Sequence, residues 1–337
     1  MVISDDVLAI LRCPSCRGLL REEEEGLFCQ ACGLLYRSVN GAVRFVDDKN
    51  YAGNFGFEWH RYARTQLEAE ENRISEFSFR EKTGFSPEEL RGKLVLDVGC
   101  GTGRFAEVAS RFGARLVGAD LSSAAEVAAR NLGDRPGVTI FQADCFNLPF
   151  AAGSFDFIYS IGVLHHTPNC EQAFKGLVKY LKPGGSIAIW LYSGYNNWYR
   201  FSDIYRKVTH RMPSRLLHAL CHAAGPLYYL DRGLRWIPLV GPPVAGFVHH
   251  VFPVSLSRNP HVRVLDTFDW YSPKYQSKHT YEQVFRWFEE SGLDSIRVMG
   301  APISVRGRKP PSGVPGMEND NQRDLASLEE VSPASKR

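Results

Sequence analysis

Residues 94–105, LVLDVGCGTGRF, decide the fold of this chain. An apolar strand runs into Asp97, a set of alternating glycines follows, and the next residues open an amphipathic helix. The glycines are Gly99, Gly101 and Gly103. Glycine lets the backbone turn sharply after a strand and lets it approach a ligand closely. The stretch therefore predicts a strand–turn–helix unit that cradles a nucleotide-like cofactor.

Two further strands also end in acidic residues. RLVGAD ends in Asp120, and VTIFQAD ends in Asp144. Ligands of open α/β sheets bind at the carboxyl ends of the strands, where an acid after the second strand accepts hydrogen bonds from a ribose diol. A nicotinamide enzyme uses the same device. The glycine pattern D-x-G-x-G-x-G differs from G-x-G-x-x-G, however, and Asp144 suits an adenine amine better than a pyrophosphate.

Residues 93–193 resemble the class I S-adenosylmethionine-dependent methyltransferases. Five elements carry the resemblance in order: VLDVGCGTG, the acid Asp120, QADCFNLPF, FDFIYSIGVLHH, and LKPGG before an apolar strand. It implies an α/β, Rossmann-like core with seven strands, the last antiparallel, and S-adenosyl-L-methionine as cofactor. The segment DTFDWYSPKY to HTYEQVFRWFEESGL also resembles the tail of bacterial methyltransferases from metabolite pathways.

The same resemblance implies a set of cofactor contacts. Asp97 would orient the amino-acid end, Asp120 would hold the ribose hydroxyls, and Asp144 would contact the adenine amine. The full implied set is Asp97, Gly99, Gly101, Gly103, Asp120, Leu121, Asp144, Cys145, Phe146, Ser160 and Ile161.

Four of the eight cysteines form two C-x-x-C pairs, Cys13/Cys16 and Cys29/Cys32, with twelve residues between them. Such knuckles direct two thiolates each toward one tetrahedral Zn²⁺, and a closed four-cysteine site is structural. The alternative is a set of ordinary buried or redox-active cysteines, which the paired spacing disfavours. The module resembles small zinc modules that are fused to, or partnered with, methyltransferases. The other four cysteines are expected to be packing residues.

Composition changes divide the chain into five parts. We predict a zinc ribbon at 1–45, a helical bridge or lid at 46–92, the methyltransferase core at 93–193 and 261–308, a helical cap insertion at 194–260, and a disordered tail at 309–337. The bridge is rich in aromatic residues, namely Phe55, Phe57, Trp59 and Tyr62. They would either close over the cofactor or dock the bridge on the core, and Glu58 and His60 beside them are candidate site residues.

The insertion at 194–260 alternates apolar helical stretches with Gly-Pro breaks, so that no stretch is long enough to cross a bilayer. It is either a cap over the substrate, which is the commoner role of apolar helical segments, or an interfacial element that touches a membrane. Its basic residues are Arg200, Arg206, Lys207, Arg211, Arg215, Arg232 and Arg235. The net charge is +3 and the start shows no secretory signal, so we expect a cytoplasmic protein, with membrane-peripheral contact as the alternative.

Histidines follow the fourth core strand at positions 165 and 166. An imidazole titrates in the right range for a general base, and adjacent side chains on an extended segment point in opposite directions. We therefore expect at most one of His165 and His166 to be catalytic, the other being structural. The remaining candidates for the mouth of the site, which could equally be packing residues, are Tyr192, Tyr195, Tyr271, Tyr275 and His279.

The sequence thus predicts methyl transfer to the oxygen, nitrogen or carbon of a small-molecule or lipid-like metabolite, such as a sugar, polyketide or quinone. The first alternative is an rRNA or tRNA base methyltransferase, because a four-cysteine head in front of this core also resembles certain rRNA guanine methyltransferases. The acidic run at 22–25 would repel phosphate and disfavours nucleic acid as the partner. The second alternative is a catalytically silent adaptor, which would not need the whole set of cofactor residues.

Overall fold

The computed structural model describes residues 3–47, 50–63, 73–133, 135–195 and 200–312. Most of the expected disordered tail, residues 313–337, lies outside this range.

The described strands form one sheet of eleven strands, in the order β1-β2-β3-β4-β7-β6-β5-β8-β9-β11-β10. Their bounds are β1 (Leu20–Glu23), β2 (Gly26–Cys29), β3 (Leu35–Val39), β4 (Ala42–Arg44), β5 (Leu94–Val98), β6 (Arg115–Asp120), β7 (Val138–Gln142), β8 (Phe155–Ile161), β9 (Leu181–Trp190), β10 (Asp294–Val298) and β11 (Ser304–Arg308).

Seven of these strands, β5 to β11, make the predicted Rossmann-like core. Strand β5 is buried along its whole length, as a parallel strand covered on both faces requires, and it pairs with β6 and β8. Strand β11 pairs antiparallel with β9. The predicted seven-stranded α/β core with an antiparallel last strand is therefore confirmed.

Helices cover both faces of the sheet and one of its ends. Their bounds are α1 (Asp5–Ile10), α2 (Gly53–Arg61), α3 (Ile74–Thr83), α4 (Pro87–Leu90), α5 (Arg104–Arg111), α6 (Ala124–Leu132), α7 (Cys170–Val178), α8 (Arg200–Thr209), α9 (Ser214–Ala223), α10 (Gly225–Leu234), α11 (Gly241–Val251), α12 (Pro260–Tyr271) and α13 (Tyr281–Glu290). A 3₁₀ turn spans Leu164–His166. Among the described residues, every helix is too short or too polar to span a bilayer.

The ribbon continues the core sheet. The turn between β3 and β4 contains Asn40 and Gly41, both with positive φ (50° and 87°), which is the chemistry of a tight hairpin. Strand β4 then pairs in parallel with β7, with Val43 opposite Phe141. The zinc head is thus joined to the core by backbone hydrogen bonds, next to the strand that precedes Asp144.

Two helices roof the carboxyl ends of the core strands. Helix α2 comes from the bridge, and α12 spans the boundary that the sequence places between insertion and core. Asn54 of α2 donates to the carbonyl of Ser272 just after α12 at 2.8 Å, and it accepts from Ser214 of α9 at 2.7 Å. The roof is therefore one hydrogen-bonded unit, supported by α8 and α9.

Candidate functional site

The glycine turn after β5 has the backbone conformation that its sequence predicts. Gly99, Gly101 and Gly103 have φ values of +79°, +53° and +91°. A Cβ at Gly99 would lie 2.3 Å from Val163, and a Cβ at Gly103 would lie 2.6 Å from Leu132, so these two glycines allow close packing within the protein. A Cβ at Gly101 would meet only the Trp59 ring, at 3.7 Å.

A cavity of about 300 Å³ opens beside this turn, within the size range of small-molecule sites. Its floor is formed by the ends of β5, β6, β8 and β9, and its roof by α2 and α12. Asp120 and Leu121 line the cavity from the sheet, and Glu58 and Asp269 line it from the roof.

The predicted cofactor residues divide into two groups. Those in the cavity wall are Gly99, Gly101, Asp120, Leu121, Cys145 and Ile161. Those outside the wall are Asp97, Gly103, Asp144, Phe146 and Ser160. The second group supports the first: Ser160 donates to the Val98 carbonyl at 2.9 Å, and Asp144 accepts from the Phe146 backbone at 3.0 Å.

Asp120 holds the glycine turn and faces the cavity. One of its carboxylate oxygens accepts from the Gly101 backbone at 2.9 Å, and the other accepts from the backbone and hydroxyl of Ser122. Burial raises its pKa in spite of these bonds. Each oxygen retains acceptor capacity, so the carboxylate can also take hydrogen bonds from a ribose diol. These hydrogen-bond acceptors fit the nucleoside part of S-adenosylmethionine.

Asp97 lies beneath the turn and is 3% exposed, with one carboxylate oxygen lacking a hydrogen-bond partner. Burial, with the charge of Asp120 adding to it, raises the pKa of Asp97 to about 8. A buried carboxylate with an unpartnered oxygen is unfavourable until a cation or a further donor reaches it. Because Asp97 lies outside the cavity wall, it is suited to meet the ammonium end of the cofactor through water.

The structure distinguishes the two adjacent histidines. His166 lies in the cavity wall, whereas His165 does not. His166 Nδ1 is 3.0 Å from the Tyr275 carbonyl, which can only accept, so Nδ1 carries the proton and Nε2 carries the lone pair. Burial lowers the pKa of His166 to about 4, which keeps the ring neutral at pH 7. His165 stacks on Tyr192 at 3.9 Å, and neither of its nitrogens has a hydrogen-bond partner.

The bridge aromatics divide between two faces of α2. Phe55, Glu58 and Trp59, at helical spacing, line the cavity, while Phe57 packs on Phe268 of α12. Following α2, Tyr62 bonds to His218 at 2.9 Å. The helix thus both covers the cavity and docks on the cap. His60 is exposed, 3.4 Å from the Arg130 guanidinium.

Of the residues expected at the mouth, Tyr192 lies in the wall and donates to Asp269 at 3.1 Å. The other four, Tyr195, Tyr271, Tyr275 and His279, lie outside it. No described residue of the insertion at 194–260 lines the cavity, and the cover comes instead from α12 through Leu265, Asp266 and Asp269.

Several wall residues were not singled out from the sequence. They are Tyr51, Lys82, Arg104, Trp190, Asp266 and Asp269. Burial, with Arg104 nearby, lowers the pKa of Lys82 to about 8, and its ammonium lies 3.9 Å from the centre of the Trp190 ring. The D-x-x-D spacing of the two aspartates on one helix face was the available signal, but the same spacing also occurs on ordinary solvated helix faces.

The four N-terminal cysteines converge as predicted. The sulfur atoms of Cys13, Cys16, Cys29 and Cys32 all lie within 4.8 Å of one another. The Cys13–Cys32 and Cys16–Cys29 distances are 3.7 and 3.4 Å. A tetrahedron with Zn–S bonds of about 2.3 Å has edges of about 3.8 Å, so the donors fit a closed structural zinc site.

The ribbon also holds the loop at 143–151, which contributes Cys145 and Leu148 to the cavity wall. The Arg12 backbone donates to Pro149 and the Ala151 backbone donates to Ile10, both at 2.8 Å. The Arg17 guanidinium donates to the Leu148 carbonyl at 2.9 Å. The zinc head therefore sets the position of one wall of the site.

Comparison with known proteins also finds a methyltransferase domain and a separate N-terminal module. Residues 96–189 match the family described as methyltransferase domain, and residues 4–41 match the family described as Trm112p-like protein. A mouse protein named "Probable tRNA methyltransferase 9B" is 34% identical over 138 residues, which are 40% of this chain and 30% of the mouse protein. A sterol 4-C-methyltransferase of Caenorhabditis elegans is 29% identical over 171 residues, half of each chain.

The chain thus spans half or less of the length of these curated relatives. Among solved structures, the complex of the Haloferax volcanii Trm112 methyltransferase activator with a methyltransferase is 14% identical. It covers 76% of this chain and 97% of that one, with a TM-score of 0.44.

Proposed function

We propose that this chain, in which a Trm112p-like zinc domain precedes an S-adenosylmethionine-dependent methyltransferase domain, transfers a methyl group to a small-molecule or lipid-like acceptor. The observation that carries the proposal is the roofed cavity. One part of this cavity, at Asp120, fits the nucleoside. A second part, between α2 and α12, contains none of the predicted cofactor residues and is open to an acceptor.

S-Adenosylmethionine supplies an electrophilic methyl group on a sulfonium, so the chain's own work is to align the acceptor and exclude water. Phe55 and Trp59 cover the cavity, and Tyr192 forms its far wall. His166, with Nε2 unprotonated, is the histidine that contacts the acceptor, while His165 positions Tyr192 by stacking. Asp120, Leu121 and Cys145 hold the nucleoside.

Transfer to tRNA is the second candidate, favoured by the names of the mouse relative and of the Trm112p-like family. A base taken out of its stack could enter a cavity of this kind. Two features oppose it. The four glutamates at 22–25 are all exposed on the ribbon, and further carboxylates lie in the cavity wall, where they would repel phosphate.

The test follows the methyl label. Purified protein is incubated with methyl-labelled S-adenosylmethionine and an extract of the source cells, and label is counted in organic-soluble, small polar, RNA and protein fractions. Asp120→Ala is the control. Label in a small-molecule or organic fraction that is lost in the control supports the proposal. Label in RNA replaces it with the second candidate. No transfer in any fraction, with S-adenosylhomocysteine still bound, leaves the adaptor.

We infer that the α10–α11 hairpin contacts a membrane surface. The hairpin exposes Tyr229, Leu230, Trp236, Ile237, Leu239, Val240, Val244 and Phe247, with Trp236 84% and Leu239 92% exposed. Residues 204–265 contain eight Lys or Arg, of which Arg206 and Arg263 are buried and six are exposed, and one acid, Asp231, which is buried. Exposed apolar side chains on two packed helices, among exposed cations, fit an anionic lipid surface.

Vesicle co-sedimentation tests this contact. We expect binding to phosphatidylcholine vesicles that contain phosphatidylglycerol, weaker binding without it, and a loss of roughly tenfold or more in Trp236→Ala/Leu239→Ala. Phe77→Ala, at a side chain 65% exposed on α3, is the matched control. Equal binding by both variants, or self-association that the double variant abolishes, would overturn the lipid assignment.

A further inference from the structure

Three carboxylates of the roof line the cavity and lie close enough to act on one another, and we call them its acidic end. Glu58 comes from α2, and Asp266 and Asp269 come from α12. Asp269 accepts from the Tyr192 hydroxyl at 3.1 Å, and Asp266 accepts from the Ser255 hydroxyl at 2.9 Å. Glu58 is 1% exposed, and neither of its carboxylate oxygens has a hydrogen-bond partner.

This acidic end is distinct from the cofactor acids. The charge of Asp120 raises the pKa of Asp97, whereas the charges that raise the pKa of Glu58, after burial itself, are those of Asp269 and Asp266. Burial also raises the pKa of Asp269 to about 6. Like charges brought together out of water are unfavourable, and a cation between them would remove the penalty.

The nearby cations act on the two α12 acids rather than on Glu58. Arg206, which bonds to Asp203 at 2.6 Å, lowers the pKa of Asp269, and Arg104 lowers the pKa of Asp266, although burial raises both pKa values more. Lys82 lies over Trp190. Among the described residues, none forms a salt bridge with Glu58. The surrounding wall is aromatic, with faces that attract cations. Its rings are Phe55, Trp59, Trp190 and Tyr192.

We propose, resting on the methyl-transfer function above, that Glu58, Asp266 and Asp269 form the acceptor subsite and bind an ammonium group, so that the acceptor is an amine methylated on nitrogen. A quinone would bring no donor to the Glu58 carboxylate, and a sugar hydroxyl would bring a donor but no positive charge to offset the three acids. A primary or secondary amine fills the site and supplies the nucleophile at the same position.

The atoms and charges of the reaction balance with the bound ammonium, the cofactor and one carboxylate of the subsite. The bound ammonium gives one proton to a carboxylate of the subsite and becomes a neutral amine. Its nitrogen lone pair forms the bond to the methyl carbon while the carbon–sulfur bond breaks, and that electron pair stays on sulfur as a thioether. The products are a methylated ammonium and a protonated carboxylate, and the total charge is unchanged. The environment that raises the pKa of Glu58 makes its ionised form a suitable proton acceptor.

The experiment uses amines as the probe. A metabolite extract is separated on a cation-exchange resin into a retained, cationic fraction and a neutral or anionic fraction. Each is incubated with the full-length protein and methyl-labelled S-adenosylmethionine, in parallel with vesicles that contain phosphatidylethanolamine. We expect label in the cationic fraction if the acceptor is a soluble amine, and in the vesicles if it is an aminolipid headgroup.

Glu58→Gln tests the subsite itself, because the change keeps the shape and removes the charge. We expect KM for the labelled amine to rise at least tenfold, with the Kd of S-adenosylhomocysteine within twofold of wild type. Glu76→Gln is the matched control, since Glu76 is a mostly buried helical glutamate paired with Arg73, Arg80 and Arg111 outside the cavity. Asp269→Asn provides a second variant if Glu58→Gln does not fold.

The outcomes are distinguishable. Label in neutral or anionic compounds only, or an unchanged KM in both subsite variants, would overturn the amine assignment and leave the proposed methyl transfer standing. No transfer to any fraction by the wild type would overturn the proposed function itself.

Discussion

Removing the zinc ion should weaken cofactor binding even though no zinc ligand lies in the cavity wall. Cys32→Ala is the perturbation of choice, because Cys32 is exposed and its truncation leaves no hole in the core. Small metal-binding modules rarely hold their fold without the ion. We therefore expect the ribbon to lose its structure and to release the loop at 143–151.

The magnitude follows from the contacts between ribbon and loop. Two backbone hydrogen bonds of 2.8 Å and one bond from Arg17 of 2.9 Å are the shortest bonds by which the ribbon fixes the loop, and the longer bond from Asn147 to the Pro14 carbonyl, at 3.3 Å, is left out of the sum. At about 1 kcal/mol each, the loss of the three short bonds makes ordering of the loop during binding cost about 3 kcal/mol, or roughly 100-fold in affinity. Partial retention of the loop conformation reduces this value, so we expect the Kd of S-adenosylhomocysteine to rise between about 10- and 100-fold.

Calorimetric titration of S-adenosylhomocysteine measures this effect, with the zinc content of each sample determined in parallel. Ser15→Ala, an exposed non-ligand position in the first knuckle, should bind like the wild type and keep one zinc ion per chain. A Cys32→Ala protein that has lost its zinc but binds within twofold of the wild type would refute the reasoning.

Four further predictions concern the core. Because burial raises the pKa of Asp97 to about 8, and pairing with an ammonium needs the ionised form, S-adenosylhomocysteine affinity should fall up to about tenfold per pH unit below 8. Asp97→Asn should flatten this profile, and a flat wild-type profile contradicts the assignment. The raised pKa also means that folding stability falls as pH rises from about 4 to about 8, and urea melts of the Asn variant should lose that slope. His166→Ala should lower kcat/KM at least tenfold, whereas His165→Phe should keep it within about threefold, and the reverse order would exchange their roles. Gly99→Ala should destabilise the fold by about 1–3 kcal/mol, since its Cβ would meet Val163 at 2.3 Å, while Gly176→Ala, with no atom within 4 Å, should not lower Tm.

The sequence predicted those features that depend on local chemistry. The signals for the glycines after β5 and for the paired C-x-x-C knuckles each lie within a few residues of one another. Such features are predictable because the backbone conformation or ligand geometry that they need is met by few residue types.

The acidic end of the cavity was only partly predictable. Glu58 was a candidate from the sequence, but Asp266 and Asp269 were not. Glu58 and Asp269 are more than 200 residues apart, and neither sits in a motif that demands a carboxylate. The apolar face of a helix must pack against something, but the sequence does not specify which element that is. We therefore predicted that the insertion at 194–260 covers the cavity, whereas α12 does. The parallel pairing of β4 with β7 was likewise unpredictable, because it joins two elements almost 100 residues apart across a domain boundary.

A crystal structure with S-adenosylhomocysteine tests the central claim most directly, because that claim is a single roofed cavity with a cofactor end and an acceptor end. The account predicts that the ribose hydroxyls lie within hydrogen-bond distance of Asp120 and that the sulfur faces Glu58 and Asp269. Density outside the cavity, or a ligand whose sulfur points away from the acidic end, would contradict it.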